Sequence, residues 1–454
     1  MSYSVGVDLG TSTVKVCVVQ GTRILKEDQV HHESNIHQRL GVQNARKIIE
    51  VAMGLLEKTV LQVTKNPAVE ISRIGISGQQ HGIVLWNSES LKKGNLDCSE
   101  LYNWMYPGDT KAAAKLPRST SNCVFPGYGM RTLCELASYA DFDSDRHWNR
   151  CGNIMDYFAC YLTGSDKVFM SEANAYCWGY STGLRWNSEI LPFTPKWIEL
   201  PEIVRTDVGT FTKLGMCRCK PLNGVPVGVA IADLHGSIIS VRGSYTGADH
   251  AYIIIGTSSQ LCFVLSNSLS LPTMPITTHI FPFTEGLSLL AAASMNGGNT
   301  LDAFITSLRR WSHEATQTEN SSHVDMSRIL SELDRASSEL KNNTRAGVPE
   351  VKPLFTAERG SQDTGVEIHG LKPDTSLIQM LIGICEGVVQ NLFALVPADL
   401  LTSYGVKKLF LVGSAKKDRF RVHIERYLQK HQIADHIELI YADTDTSAAY
   451  GVAL

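Results

Sequence analysis

Asp233 stands at the join between the apolar run VPVGVAIA (225–232) and LHGSIISV (234–241), which read as a strand, a turn and a helix. A helix N-terminus favours the ionised form of a carboxylate there. An ionised carboxylate can take a proton from an alcohol. The same position suits an N-cap aspartate, and the two roles are partly compatible. A second set of polar residues interrupts VGVDLGTSTVKVCVV (5–19), where Asp8 and Lys15 flank the corner Gly10-Thr11-Ser12-Thr13. The design recurs in IIIGTSSQLCFVL (253–265), with Gly256-Thr257-Ser258 at the corner. A tight Gly-Thr-Ser turn presents backbone N–H groups and short hydroxyls, which suits phosphate oxygens. Asp8 could hold Mg²⁺ through water, and Lys15 could sit near a phosphate. One such turn reads as an ordinary hairpin; two at corresponding places point to a nucleotide clamped between related domains.

Three further clusters add to these. GQQHG (78–82) ends the β-branched run ISRIGIS with donors and acceptors suited to a polyhydroxylated ligand, or with a capped turn and a structural His81. NGGNT (296–300) and VGSAKK (412–417) would let a nucleotide approach the backbone, because glycine carries no Cβ. Trp104, Tyr106, Tyr128, Trp178 and Tyr180 could stack on a sugar or pack a core or lid. There is no GxxxxGK[ST] and no GxGxxG, so neither a P-loop nor a Rossmann dinucleotide site is expected.

The elements that must position these residues follow from the periodicities. Residues 3–8 and 13–19 read as a hairpin, 45–62 as an amphipathic helix and 71–77 as a strand. The second half repeats the scheme: a hairpin after 250, an apolar strand into NGGN, a long apolar helix over 377–395 and the strand KKLFLVGSA (407–415). Internal duplication is the economical reading. A chain of 454 residues is too long for one core, and the boundary falls at 243/244, giving domains 1–243 and 244–454. A net charge of −3 gives no reason to expect nucleic acid or an anionic membrane as partner. Eleven cysteines without a CxxC read mostly as small core residues of a reduced, cytoplasmic protein. The first residues show no basic, cleavable apolar leader, and no continuous apolar run reaches membrane-spanning length.

These segments, in this order, resemble the FGGY family of carbohydrate kinases within the actin-like ATPase superfamily. The resemblance is carried by DLGTSTVK (8–15), GISGQQHGIVLW (75–86), MSEANAYCWGY (170–180), VGVAIADLHGS (227–237), IGTSSQL (255–261), AASMNGGN (292–299), ER (358–359), GVVQNL (387–392) and DTDTSAAYGVAL (443–454). It implies an α/β fold of two actin-like (RNase H-like) ATPase domains with a central interdomain cleft for ATP, Mg²⁺ and a sugar. The N-terminal domain would bind sugar and carry the base; the C-terminal domain would bind nucleotide. On this resemblance Asp8 holds the metal, and Thr11, Ser12, Thr13 and Lys15 lie near the phosphates. Gly256 and Thr257 touch the phosphates of ATP. Gly297, Gly298 and Asn299, with Gly413, Ser414 and Ala415, line the nucleotide pocket. Gln80, His81 and Trp104 meet the sugar, and Asp233 deprotonates the attacking hydroxyl.

The implied activity is ATP-dependent phosphorylation of a ketose, sedoheptulose to its 7-phosphate first. Xylulose or ribulose is the alternative acceptor. A nucleotide-binding protein with weak or lost kinase activity is another alternative. Partners are the small-molecule sugar and ATP, without nucleic acid or membrane, in a monomer or homodimer. One departure concerns the sugar directly. The family commonly has Trp-Gln-Asp where this chain has Trp104-Met105-Tyr106, and Asp109 is the carboxylate that could substitute. IADLHG also replaces the more usual Gly-Asp-x-Gln, with the aspartate kept.

Overall fold

The structure, a computed structural model, describes residues 2–65, 69–119, 121, 127–139, 147–206, 211–243, 247–267, 278–316, 325–340, 347–358, 361, 365–396, 399–441 and 447–454. Residue 244 at the expected domain boundary, Arg359, and the acidic turn at 443–446 lie outside the described residues. The chain groups into two compact units. One is Met1–Tyr245 with Phe281–Glu285 and Thr446–Leu454; the other is Thr246–Ile280 with Gly286–Asp445.

In the first unit, β1 (Tyr3–Leu9), β2 (Thr13–Gln20) and β3 (Arg23–His31) form an antiparallel meander. Helix α1 (Ala45–Thr64) follows, started by Asn44, whose side chain accepts from the Lys47 N–H at 3.0 Å. Strand β4 (Ile71–Gly78) then pairs parallel with β1. Helix α2 (Ile154–Thr163) is opened by a capping box between Asn153 and Asp156. Strands β5 (Lys213–Met216), β6 (Pro226–Gly228) and β7 (Ile231–Ala232) complete the sheet before α3 (Asp233–Arg242). The strand order is β5-β6-β4-β1-β2-β3, with β7 also beside β4.

Alternation along the strands explains the burial of both faces. Val5, Val7 and Leu9 with Val14, Val16 and Val18 join Ile48, Ile49, Ala52 and Phe158 in one core. Cys17 and Val19 point the other way, onto Ala449 and Ala453. The second face receives the last helix of the chain, Ala448–Ala453, at unusually close range. A Cβ on Gly6 would lie 1.9 Å from Ala449 O, and one on Gly75 would lie 1.9 Å from Val452 O. Gly6 and Gly75 are register partners across β1 and β4, so together they form the seat of this helix. The division at 243/244 put residues 447–454 with the second domain, whereas they group with the first unit.

The second unit repeats the topology. Strands β8 (His250–Ile255) and β9 (Ser259–Ser266) form the hairpin, and β10 (Leu287–Ser294) pairs antiparallel with β9. Helices α4 (Asn299–Thr316), α5 (Met326–Glu339) and α6 (Leu377–Leu395) follow. Strand β11 (Lys408–Gly413) pairs parallel with β8, then come α7 (Asp418–Lys430) and β12 (Glu438–Tyr441) beside β11. The order β10-β9-β8-β11-β12 matches β3-β2-β1-β4-β6 of the first unit. Register matches as well: Leu9 pairs with Gly78, and Ile255 pairs with Gly413, each one residue before a Gly-Thr-Ser corner. Helix α6 has the length and hydropathy of a membrane span. It serves here as the central core helix, with Leu381, Ile384, Val388 and Leu392 buried against Ile253, Leu261 and Leu411.

Candidate active site

Register brings the chemistry-bearing residues of the first unit to one sheet edge. Asp8 pairs with Ser77, Leu9 with Gly78, and Gly78 in turn with Ala232. The residues that follow, Gly10, Gln79 and Asp233, therefore leave three mutually parallel strands at the same end. That is the carboxyl edge, where open α/β sheets bind ligands.

The Gly10–Thr13 corner is held from four sides. Gly10 N–H donates to Thr13 O at 2.9 Å. Gly10 O accepts from His32 Nε2 at 3.2 Å and from Gln79 Nε2 at 3.5 Å. Thr11 O accepts from Gln43 Nε2 at 2.8 Å, and Gln43 Oε1 accepts from Gln79 Nε2 at 3.0 Å. Trp104 Nε1 donates to Thr11 Oγ1 at 3.0 Å, which ties an expected sugar residue to an expected phosphate residue. Gln79 and Gln43 are buried and form the corner's support, a role the sequence reading did not give them.

Asp8 is 8% exposed, and its Oδ1 accepts from Ser77 Oγ at 2.9 Å. Lys15 is its register partner on β2. Burial pushes the Asp8 carboxyl up to about 6, against the pull of the Ser77 hydroxyl and the Lys15 charge. Among the described residues no three His, Cys, Asp or Glu side chains converge as a metal cage. Magnesium rarely uses such a cage; it is commonly held by one or two carboxylates, phosphates and waters. A lone buried carboxylate beside the hydroxyls of the corner fits that ligand set.

Asp233 is the first residue of α3, while Ala232 occupies the N-cap position without a side-chain cap. Leu234 N–H donates to Asp233 Oδ1 at 2.8 Å. The carboxylate thus lies in the first turn of the helix, where the dipole favours its charge. The N-cap reading does not hold.

The sugar-facing candidates divide. Gln80 is half-buried, and its Oε1 accepts from the Cys177 thiol at 3.4 Å. His81 is buried at φ 79°, in the left-handed region that few residues other than glycine adopt. Its ring stacks on Tyr128 at 3.8 Å and 4°, and its Nδ1 donates to Cys177 O at 3.2 Å. Trp178 and Tyr180 belong to the core with Met130 and Leu133. A Cβ on Gly129 would lie 2.1 Å from Trp178 Cε2. Trp178, Tyr180 and the buried Tyr128 therefore pack the interior, and Trp104 and Tyr106 keep partial exposure.

Asp109, the carboxylate expected to substitute for the missing acid, caps the short helix Thr110–Ala113, its Oδ1 accepting from Lys111 N–H at 2.8 Å. The carboxylate at Tyr106 is Glu135, from helix Gly129–Ala137. Glu135 is 3% exposed. Its Oε1 accepts from the hydroxyls of Tyr106 at 2.9 Å and Tyr139 at 2.8 Å; its Oε2 accepts from Asp109 N–H at 2.8 Å. The Glu135–Tyr139 spacing of four residues puts both on one helical face. Nothing in the sequence links that face to Tyr106.

In the second unit the three expected nucleotide segments meet. Gly298 N–H donates to Gly256 O at 2.8 Å, and Asn299 N–H donates to Thr257 O at 3.1 Å. Gly413 (φ 63°) lies beside Ile255 and leads into the short turn Ser414–Lys416, in which Ala415 is buried. The glycines are needed for packing on the hairpin itself. A Cβ would lie 2.4 Å from Ser258 C at Gly297, 2.8 Å from Gly256 O at Gly298 and 2.7 Å from Ile255 O at Gly413. Gly256 differs, because a Cβ there would meet open space.

No family model matches the chain. Its sequence is 25% identical to the sedoheptulokinase of Mus musculus over 99% of this chain and 96% of the relative. Against the sedoheptulokinase of Homo sapiens it is also 25% identical, over 93% and 92%. Among solved structures, a xylulose kinase of Brucella ovis superposes with a TM-score of 0.75 at 19% identity, covering 99% of this chain and 89% of that one. A Plasmodium falciparum glycerol kinase crystallised with ADP gives 0.75 at 18%, covering 100% and 88%. The full-length similarity to sedoheptulokinases and the fold shared with sugar kinases agree with the expected resemblance to FGGY carbohydrate kinases. The expected α/β fold of actin-like ATPase domains and the expected phosphotransferase class both hold. The similarity over nearly the full length supports ATP-dependent sugar kinase activity.

Proposed function

We propose that this kinase phosphorylates a ketose, sedoheptulose foremost, to give sedoheptulose 7-phosphate. The observation that carries the proposal is the shared sheet edge from which the Gly10–Thr13 corner, Gln79–His81 and Asp233 all emerge. The two sedoheptulokinases similar over nearly the full length support the choice of sugar. Asp233 is the base that takes the hydroxyl proton as the oxygen attacks the γ-phosphoryl group. Gln80, His81, Trp104 and Tyr106 orient the sugar. Gly256, Thr257, Gly297, Gly298, Asn299, Gly413, Ser414 and Ala415 form the nucleotide site.

Asp8 would hold Mg²⁺, with Thr11, Ser12, Thr13 and Lys15 toward the phosphates. The ion neutralises charge on the phosphoryl oxygens when bound. Tyr106 takes the place of the family's acid. Its proton is directed to Glu135, so its oxygen offers lone pairs to a sugar hydroxyl. The sequence division supports sugar binding in the first domain and nucleotide binding in the second.

The test is ADP release measured with ATP and Mg²⁺ against a panel of sugars. Sedoheptulose should give the highest kcat/KM. Preference for xylulose or ribulose would move the assignment to a pentulose kinase, and ADP release with none of them would sink the ketose reading.

A further inference from the structure

Glu358 is a buried carboxylate in the second unit that nothing above uses. It is 8% exposed, yet accepts four hydrogen bonds. Ser294 Oγ, Asn296 Nδ2 and Asn391 Nδ2 donate to Oε1 at 2.6, 3.0 and 2.8 Å, and Met295 N–H donates to Oε2 at 2.9 Å. All four donors are neutral, and together they match the acceptor capacity of an ionised carboxylate. Three of them lie on consecutive residues, at the end of β10 and the start of the turn into α4. The fourth comes from α6.

The same turn is then passed outward to the hairpin. Asn296 also donates to Thr356 O at 2.8 Å and accepts from Thr356 N–H at 3.1 Å. Asn296 O accepts from Ser259 Oγ at 2.8 Å. Asn299 Oδ1 accepts from Gly297 N–H at 2.8 Å. The last links are the amides of Gly298 and Asn299 on the Gly256 and Thr257 carbonyls.

We infer that Glu358 is the positioning residue of the nucleotide loop: its carboxylate fixes residues 294–296, so that 297–299 sit against the Gly256–Thr257 corner. The inference rests on the proposed nucleotide site. It separates Glu358 from a general stabilising role, because its loss acts on nucleotide binding and spares sugar binding.

The experiment compares the full chain with Glu358→Gln and with Asn391→Ala, which removes one donor and leaves the carboxylate. An amide in place of the carboxylate turns one acceptor into a donor facing donors. Binding of a fluorescent ADP analogue should weaken by on the order of tenfold in Glu358→Gln and by a smaller factor in Asn391→Ala. The sugar KM should stay within about twofold, since the clamp is built within the second unit and Gln80, His81 and Trp104 belong to the first. Hydrogen exchange without nucleotide should show lost protection at residues 295–299 in Glu358→Gln. Unchanged analogue binding, or equal rises in both KM values, overturns the inference. So does retained protection of the loop. Should the unmodified chain bind no analogue, the nucleotide site has been misplaced. The exchange result then decides the role of Glu358 alone.

Discussion

The Tyr106 hydroxyl donates to Glu135 at 2.9 Å, and Glu135 is sealed in the first unit with a second phenol and a backbone amide as its other donors. Burial raises the Tyr106 phenol far above its ordinary range, and the hydrogen bond to Glu135 and its charge add to the shift. Tyr106 therefore stays protonated and keeps that proton on Glu135. Replacement of Tyr106 by phenylalanine removes the hydroxyl that Glu135 holds. The sugar KM should rise about fivefold and the nucleotide KM should not move, as loss of one substrate hydrogen bond of about 1 kcal/mol requires. A steady-state analysis varying each substrate separately checks this; an unchanged sugar KM would remove Tyr106 from the sugar site.

The seat of the last helix makes opposite predictions for two glycines. In Gly75→Ala the new methyl would lie 1.9 Å from the Val452 carbonyl, so the helix must shift off the sheet. The cost should be about 3 kcal/mol in urea unfolding. Gly54 lies exposed within α1, and a Cβ there meets nothing within 4 Å. Gly54→Ala should stabilise by about 0.5–1 kcal/mol through helix propensity. Equal effects of the two changes would mean that the close approach of 448–453 is wrong.

A buried acid in α2 sets a pH dependence of stability. Asp156 is 1% exposed; its Oδ2 accepts from Asn153 N–H at 2.9 Å, and burial pushes its carboxyl up to about 8. The unfolded chain ionises this group near 4, while the folded chain keeps its proton until about 8. Stability from Asp156 is therefore full below about 4 and declines as pH rises through that interval, by up to about 1.4 kcal/mol per pH unit. Asp156→Asn mimics the neutral form. Its urea midpoint should gain on the unmodified protein steadily from pH 5 to pH 8. A constant difference across that range would show that Asp156 is ionised in the fold.

Much of this arrangement was legible in the residue order. Two hairpins with the same corner, each followed by a strand ending in glycine, were enough to expect a duplicated α/β fold, and register later aligned Gly78 with Gly413. Asp233 was visible because it terminates an apolar strand. The buried acids were not legible as parts of a site. Glu135 looks like an ordinary helical glutamate until the 101–109 segment is folded onto it, and Glu358 finds its donors 62 to 64 residues upstream and 33 downstream. The glycines misled in a specific way. Their missing side chains in NGGN and at Gly413 looked like room for a ligand, whereas the hairpin backbone occupies that space. Gly6 and Gly75 read as strand residues, and only the path of the last helix shows why a side chain fails there.

The central claim is that the Asp233 carboxylate, at the head of α3, takes the proton of the sugar hydroxyl. Turnover of Asp233→Asn with ATP, Mg²⁺ and the preferred ketose tests it most directly, alongside binding of the fluorescent ADP analogue. The account predicts a fall in kcat of at least about 100-fold with analogue affinity retained. Ketose-dependent ADP release at the unmodified rate would contradict it.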